Sequence, residues 1–132
     1  MWNTMNNTYL IFSGLILGAI LYQTVFVAPT VFKTIDNVNT SRFLRIIFPK
    51  FFMFILILGI LGLIDSIFNS RGSLLHLVYS VTAFFSLFAF LIIPMTNKAT
   101  DDNDKKKFKI LHSLSVVLTV IILIINFIPF FN

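Results

Sequence analysis

Four mostly apolar stretches, at 9–32, 43–64, 74–95 and 108–131, fill nearly all of this 132-residue chain and are separated only by short polar loops. Each is long enough to cross a bilayer core as a helix, which takes about 20 residues. Lipid offers no partner for a backbone N–H or C=O, so a span must be a helix or part of a closed barrel. The period-two alternation of barrel strands is absent from these stretches, which leaves helices. Composition agrees. The chain is 58% hydrophobic and 11% charged, with mean hydropathy +0.95, whereas a soluble domain carries roughly 25% charged residues. A soluble domain of this size could not bury so much apolar surface. The sequence therefore predicts one all-α domain over 1–132, an integral membrane four-helix bundle. The first stretch has no basic leading region and no small-residue cleavage site before a polar start, so it reads as a permanent span and not a removed signal.

Basic residues set the expected orientation. Lys33, Arg42, Arg45 and Lys50 lie in or beside the first loop, and Lys98, Lys105, Lys106, Lys107 and Lys109 in or beside the third. Only Arg71 lies in the second loop, and neither tail has any. The positive-inside rule then puts loops one and three in the cytoplasm and both termini on the non-cytoplasmic side. Trp2, Tyr9 and Tyr79 fall near the outer interface, where amphipathic rings settle. Topology thus accounts for the net charge of +5, and no nucleic-acid partner is expected.

Helix ends are also legible. Asn39-Thr40-Ser41 offers an N-cap for the second helix, and Pro49, one or two turns in, predicts a bend. Asp101, Asp102 and Asp104 ahead of Lys105–Lys107 suit an acidic helix start followed by snorkelling lysines.

Polar residues inside spans are the functional leads in a membrane protein. On the fourth helix His112, Ser115, Thr119 and Asn126 share one face, with Ile122 completing the stripe. It is either a polar track facing a pathway or hydrogen-bonding glue between helices. Tyr79, Thr82, Ser86 and Ala89 form a similar stripe on the third helix, read as close packing. Gly14 and Gly18 let another helix approach the first, either within the chain or from a second copy. Gln23, near the middle of the first helix, should face the bundle, because an amide is costly in lipid.

Signals for chemistry are few. The chain has no cysteine, which excludes disulfides and thiolate chemistry. No glutamate, Gly-rich phosphate loop, catalytic triad or helical metal motif is present, and the Asp101–Asp104 cluster lacks the spacing of a calcium loop. Asp65 and Arg71 flank the second loop and can pair, as a weak surface bridge. His76 starts the third helix at one membrane face and His112 starts the fourth at the other. A span of some 20 residues separates them by about 25–30 Å, so they cannot share one haem iron. Neither a cofactor nor an enzymatic reaction is expected.

Several stretches carry a resemblance. Phe26-Val27-Ala28-Pro29-Thr30-Val31-Phe32 ends the first helix, and Ile47-Phe48-Pro49-Lys50-Phe51-Phe52 opens the second. Lys107-Phe108-Lys109-Ile110-Leu111-His112-Ser113-Leu114-Ser115 precedes the fourth. In this order the chain resembles the uncharacterised four-span family that includes bacterial relatives of transmembrane protein 205. The resemblance implies four helices and no defined reaction, and the expected location is a bacterial inner membrane. It points to Pro29, Phe32, Phe48, Pro49, Leu111, His112 and Ser115, all expected at the cytoplasmic ends of helices. The expected function is a structural or accessory role, self-associating or within a larger membrane complex. Its partners would be the bilayer and either further copies or other membrane subunits. The alternative is a small-molecule or ion pathway using His112, Ser115, Thr119, Asn126 and Gln23. A membrane haem or porphyrin protein ranks third.

Overall fold

The computed structural model describes residues 7–132, so Trp2 lies outside the described residues. Four helical rods run through them, each long and apolar enough to cross a membrane. The first rod is α1 (Thr8–Tyr22), a π-helical turn (Gln23–Val27) and α2 (Ala28–Thr34). The others are α3 (Asn37–Phe68), α4 (Ser73–Asp101) and α5 (Lys105–Ile125), and a 3-10 turn (Ile128–Phe131) follows α5. Among the described residues there is no strand. The helices continue beyond the apolar stretches at the basic end: α3 starts at Asn37, and α4 runs to Asp101.

Local chemistry sets the breaks. Pro29 has no N–H and its ring crowds the preceding turn, and the helix answers with a wider π turn just before it. There Ala28 N–H bonds the Gln23 carbonyl, five residues back. The N-cap of α3 is Asp36 and not the predicted Asn39-Thr40-Ser41. Its carboxylate accepts from Asn39 N at 3.2 Å and Asn39 Nδ2 at 2.6 Å, and these bonds hold the carboxyl below its usual range. Asp104 caps α5 by accepting from Lys107 N at 3.0 Å, whereas Asp101 closes α4.

The two tight loops share one solution. Ser70 and Asn103 take the left-handed conformation, with φ of 50° and 53°. Arg71 N then reaches the Ser66 carbonyl and Asp104 N the Ala99 carbonyl, each at 2.9 Å. This is the paired closure that satisfies the last carbonyls of a helix.

The loops after α2 and α4 lie at one end of the bundle, where Arg45 pairs with Asp101 at 2.5 Å. The start of α1 meets the loop between α3 and α4 at the other end, where Thr8 bonds Asp65. In sequence order each rod packs beside the next, and α1 also touches α5 and the 3-10 turn. Ile16, Ile20, Ile55, Leu58 and Ile122 form one buried cluster. Phe52, Ala89 and Leu118 form a second, walled by Phe48, Phe51, Phe85 and Phe90.

Gly59 and Gly62 of α3 let α4 pass close. A methyl on Gly62 would lie 2.5 Å from the Tyr79 ring, and one on Gly59 would lie 3.1 Å from Ala83 N. Gly14 and Gly18 are exposed on α1. A methyl there would meet only Phe130 Cζ at 3.9 Å from Gly14, and nothing within 4 Å from Gly18. The glycines that seat a neighbouring helix within the chain are therefore on α3.

Gly62→Ala should destabilise the bundle by about 1–3 kcal/mol through overpacking against Tyr79. Gly18→Ala should leave stability unchanged or raise it. Unfolding in mixed detergent measures both, and equal costs would contradict the assignment.

Candidate functional site

The spans bury seven polar side chains: Ser13, Gln23, Thr40, Ser66, Thr82, Ser86 and Asn126. Four of these join Tyr79 in one column through the half of the bundle that holds the chain ends. Asn126, at the end of α5, is its hub. Asn126 Nδ2 donates to Thr82 Oγ1 at 2.8 Å and to the Ile122 carbonyl at 2.9 Å. Its Oδ1 accepts from Ser13 Oγ at 3.2 Å. Ser13 Oγ also lies 2.8 Å from Tyr79 Oη, which donates to the Tyr9 carbonyl at 2.5 Å. One amide thus joins α5 to α4 and α1, and the Tyr79 phenol ties α4 to α1.

Hydrogen counting fixes the directions. Thr82 Oγ1 spends its hydrogen on the Val78 carbonyl at 2.8 Å, so it must accept from Asn126. That places Asn126 Nδ2 towards Thr82 and Oδ1 towards Ser13. Ser13 and Tyr79 have two hydroxyl hydrogens for three contacts, and the Tyr9 carbonyl takes the one from Tyr79. Ser13 then shares its hydrogen between Tyr79 and Asn126 in a three-centre arrangement.

A charged cluster closes the column at the chain-end side. Thr8 Oγ1 donates to Asp65 Oδ1 at 2.5 Å, and Arg71 Nη2 donates to Thr8 Oγ1 at 3.2 Å. Asn69 Nδ2 donates to the same Asp65 oxygen at 3.0 Å. Arg71 Nε stands 3.5 Å from Asp65 Oδ2, with side chains only 11% and 13% exposed. The pair is mostly buried, not the surface bridge expected. Arg71 also lies over the Tyr9 ring, 5.1 Å from its centroid.

The inner limit of the column is Ser86, whose hydroxyl returns to the Thr82 carbonyl at 2.8 Å. Below it comes the layer of Phe52, Ala89 and Leu118 with their phenylalanine wall. The column is thus closed by an ion pair above and aromatic rings below.

Of the predicted stripe on α5, Asn126 belongs to this column. Ser115 and Thr119 are half-buried, and Thr119 Oγ1 donates to its own helix at the Ser115 carbonyl, 2.8 Å away. His112 is exposed and stacks on Phe108 with ring centroids 5.5 Å apart. Tyr79, Thr82, Ser86 and Ala89 of α4 are all fully buried. Tyr79 faces the bundle interior. Ser13 carried no sequence signal, since a serine in an apolar helix has no spacing that marks it.

The positions carried by the family resemblance lie towards the basic end. Pro29, Phe32 and His112 are exposed, Phe48 and Pro49 are half-buried, and Leu111 is buried. His76, at the opposite end, meets the Ser66 carbonyl through Nε2 at 2.9 Å. No group of three metal-type side chains gathers among the described residues.

Gln23 faces inward as expected and is 9% exposed. Its Nε2 has no hydrogen-bond acceptor among the described residues. Two opposite effects follow from mutation. Asn126→Leu should cost about 1–3 kcal/mol by removing the bonds that tie α5 to Ser13 and Thr82, whereas Gln23→Leu should be neutral or stabilising. Unfolding of both variants measures this. A larger cost at Gln23 would show that its amide holds a partner in the membrane.

No curated protein and no solved structure matches the chain. A family model described as a domain of unknown function, DUF4149, matches residues 11–105. That stretch takes in α3, α4 and most of the first rod, and the chain belongs to the DUF4149 family.

Proposed function

We propose that this protein is a structural or accessory bundle of the membrane, acting by association with further copies or with other membrane subunits. The observation that carries the reading is the self-contained polar column. Asn126, Thr82, Ser13 and Tyr79 satisfy one another, and a phenylalanine layer stands between them and the basic end. A pathway would need polar groups left for a passing solute along a continuous route. The outward notch at Gly14 and Gly18 supports association, because small residues let backbones approach closely in lipid. The excess of Lys and Arg at one end supports placing that end in the cytoplasm and both termini outside, in a bacterial inner membrane. The ordered Val-Ala-Pro, Phe-Pro-Lys and Leu-His motifs support kinship with the bacterial relatives of transmembrane protein 205.

One observation favours a second reading. Gln23 opens the π turn with an Nε2 that finds no acceptor among the described residues, and π turns often mark functional sites in helices. On that reading Gln23, Ser115, Thr119 and His112 contact a small molecule between helices.

Native mass spectrometry of the protein, gently extracted from its own membrane, separates the readings. A defined mass of several copies, or of this chain with other polypeptides, is expected. A bare single chain, or one carrying a stoichiometric small molecule lost in Gln23→Leu, would contradict the accessory role.

A further inference from the structure

The basic half of α3 carries a feature the polar column does not use. Pro49, Lys50, Met53, Phe54 and Ile57 of α3, with Phe90 of α4, line an open hollow of about 450 Å³ on the outer surface of the bundle. Lys50, Met53, Phe54 and Ile57 follow the three- and four-residue spacing of one helix face, and all four are exposed. At 1.5 Å per residue, the wall runs about 10 Å from Lys50 towards the bilayer middle. The hollow is therefore a shallow, widely open apolar trough running along the helix, with a cation at its interfacial end.

Nearby charges leave that cation available. Arg45 is held by Asp101 at 2.5 Å and Lys98 by Asp102 at 2.6 Å. Among the described residues Lys50 has no carboxylate within ion-pair distance. An ammonium at the edge of the hydrocarbon favours an anion at headgroup depth, and the trough beneath it fits a chain attached to that anion.

We propose that this trough binds one anionic phospholipid of the surrounding bilayer. Its phosphate sits on Lys50, and one acyl chain lies along Met53, Phe54, Ile57 and Phe90. The chain gains no hydrophobic energy, because it leaves lipid for an equally apolar wall. Selectivity for anionic over zwitterionic headgroups therefore rests on Lys50, and the trough supplies fit.

Electron paramagnetic resonance on the full chain in phosphatidylcholine vesicles tests this, with spin-labelled phosphatidylglycerol or spin-labelled phosphatidylcholine as probe. The wild type should hold the anionic probe roughly fivefold more than the zwitterionic one, as expected for one cation near the surface. Lys50→Gln should bring the ratio near one, and Lys50→Arg should restore it. Ile57→Trp should lower the immobilised fraction of both probes by filling the trough. Lys106→Gln, on the basic rim away from the trough, should leave the ratio unchanged. No anionic preference in the wild type would overturn the proposal. So would a preference surviving Lys50→Gln, one lost equally in Lys106→Gln, or Ile57→Trp leaving both probes held as before.

Discussion

A polar group in hydrocarbon must find its partner within the protein, because lipid supplies none. In this bundle the constraint converges on Asn126. Its amide has a donor side and an acceptor side, and each meets a different helix. Thr82 cannot turn its hydroxyl elsewhere while bonding Val78, which fixes the amide and, through it, Ser13 and Tyr79. Apolar packing alone would allow these spans to slide, since lipid tails wet an isoleucine as well as another helix does. The hydrogen bonds set the register.

Register then determines where the helices can come close. Tyr79 reaches Ser13 and the Tyr9 carbonyl only by passing over α3, and Gly62 supplies the space. The Asp65–Arg71 pair holds the start of α1 and the α3–α4 loop over the top of the column. The other half is built differently, from phenylalanines around Phe52, Ala89 and Leu118. There α2 makes slight contact with α3, and most of its surface is exposed. The molecule has a locked polar half and an aromatic half.

Much of the fold is legible in the sequence, because membrane thickness and the demands of backbone hydrogen bonding impose length and helicity directly. All four spans were readable for that reason, as were the Asp104 start of α5 and the stripe on α4. Partners were less readable. A small-xxx-small motif draws attention to Gly14 and Gly18, yet the helix face chosen for packing is a tertiary matter, and the chain uses Gly59 and Gly62 instead. The spacing on α5 placed His112, Ser115, Thr119 and Asn126 along one stripe, but only Asn126 lies deep enough between neighbours to be fully buried. The cap fell on Asp36 because the helix already begins at Asn37, ahead of Asn39-Thr40-Ser41, with the Asp36 carboxylate accepting from Asn39 N.

The central claim is that the Ser13–Tyr79–Asn126–Thr82 column ties α1, α4 and α5 together. A double-mutant cycle between Ser13→Ala and Tyr79→Phe, read by unfolding in mixed detergent, tests it most directly. These contacts predict favourable coupling of roughly 0.6 kcal/mol or more, the average for an interhelical hydrogen bond in a membrane. Additive effects of the two substitutions would contradict it.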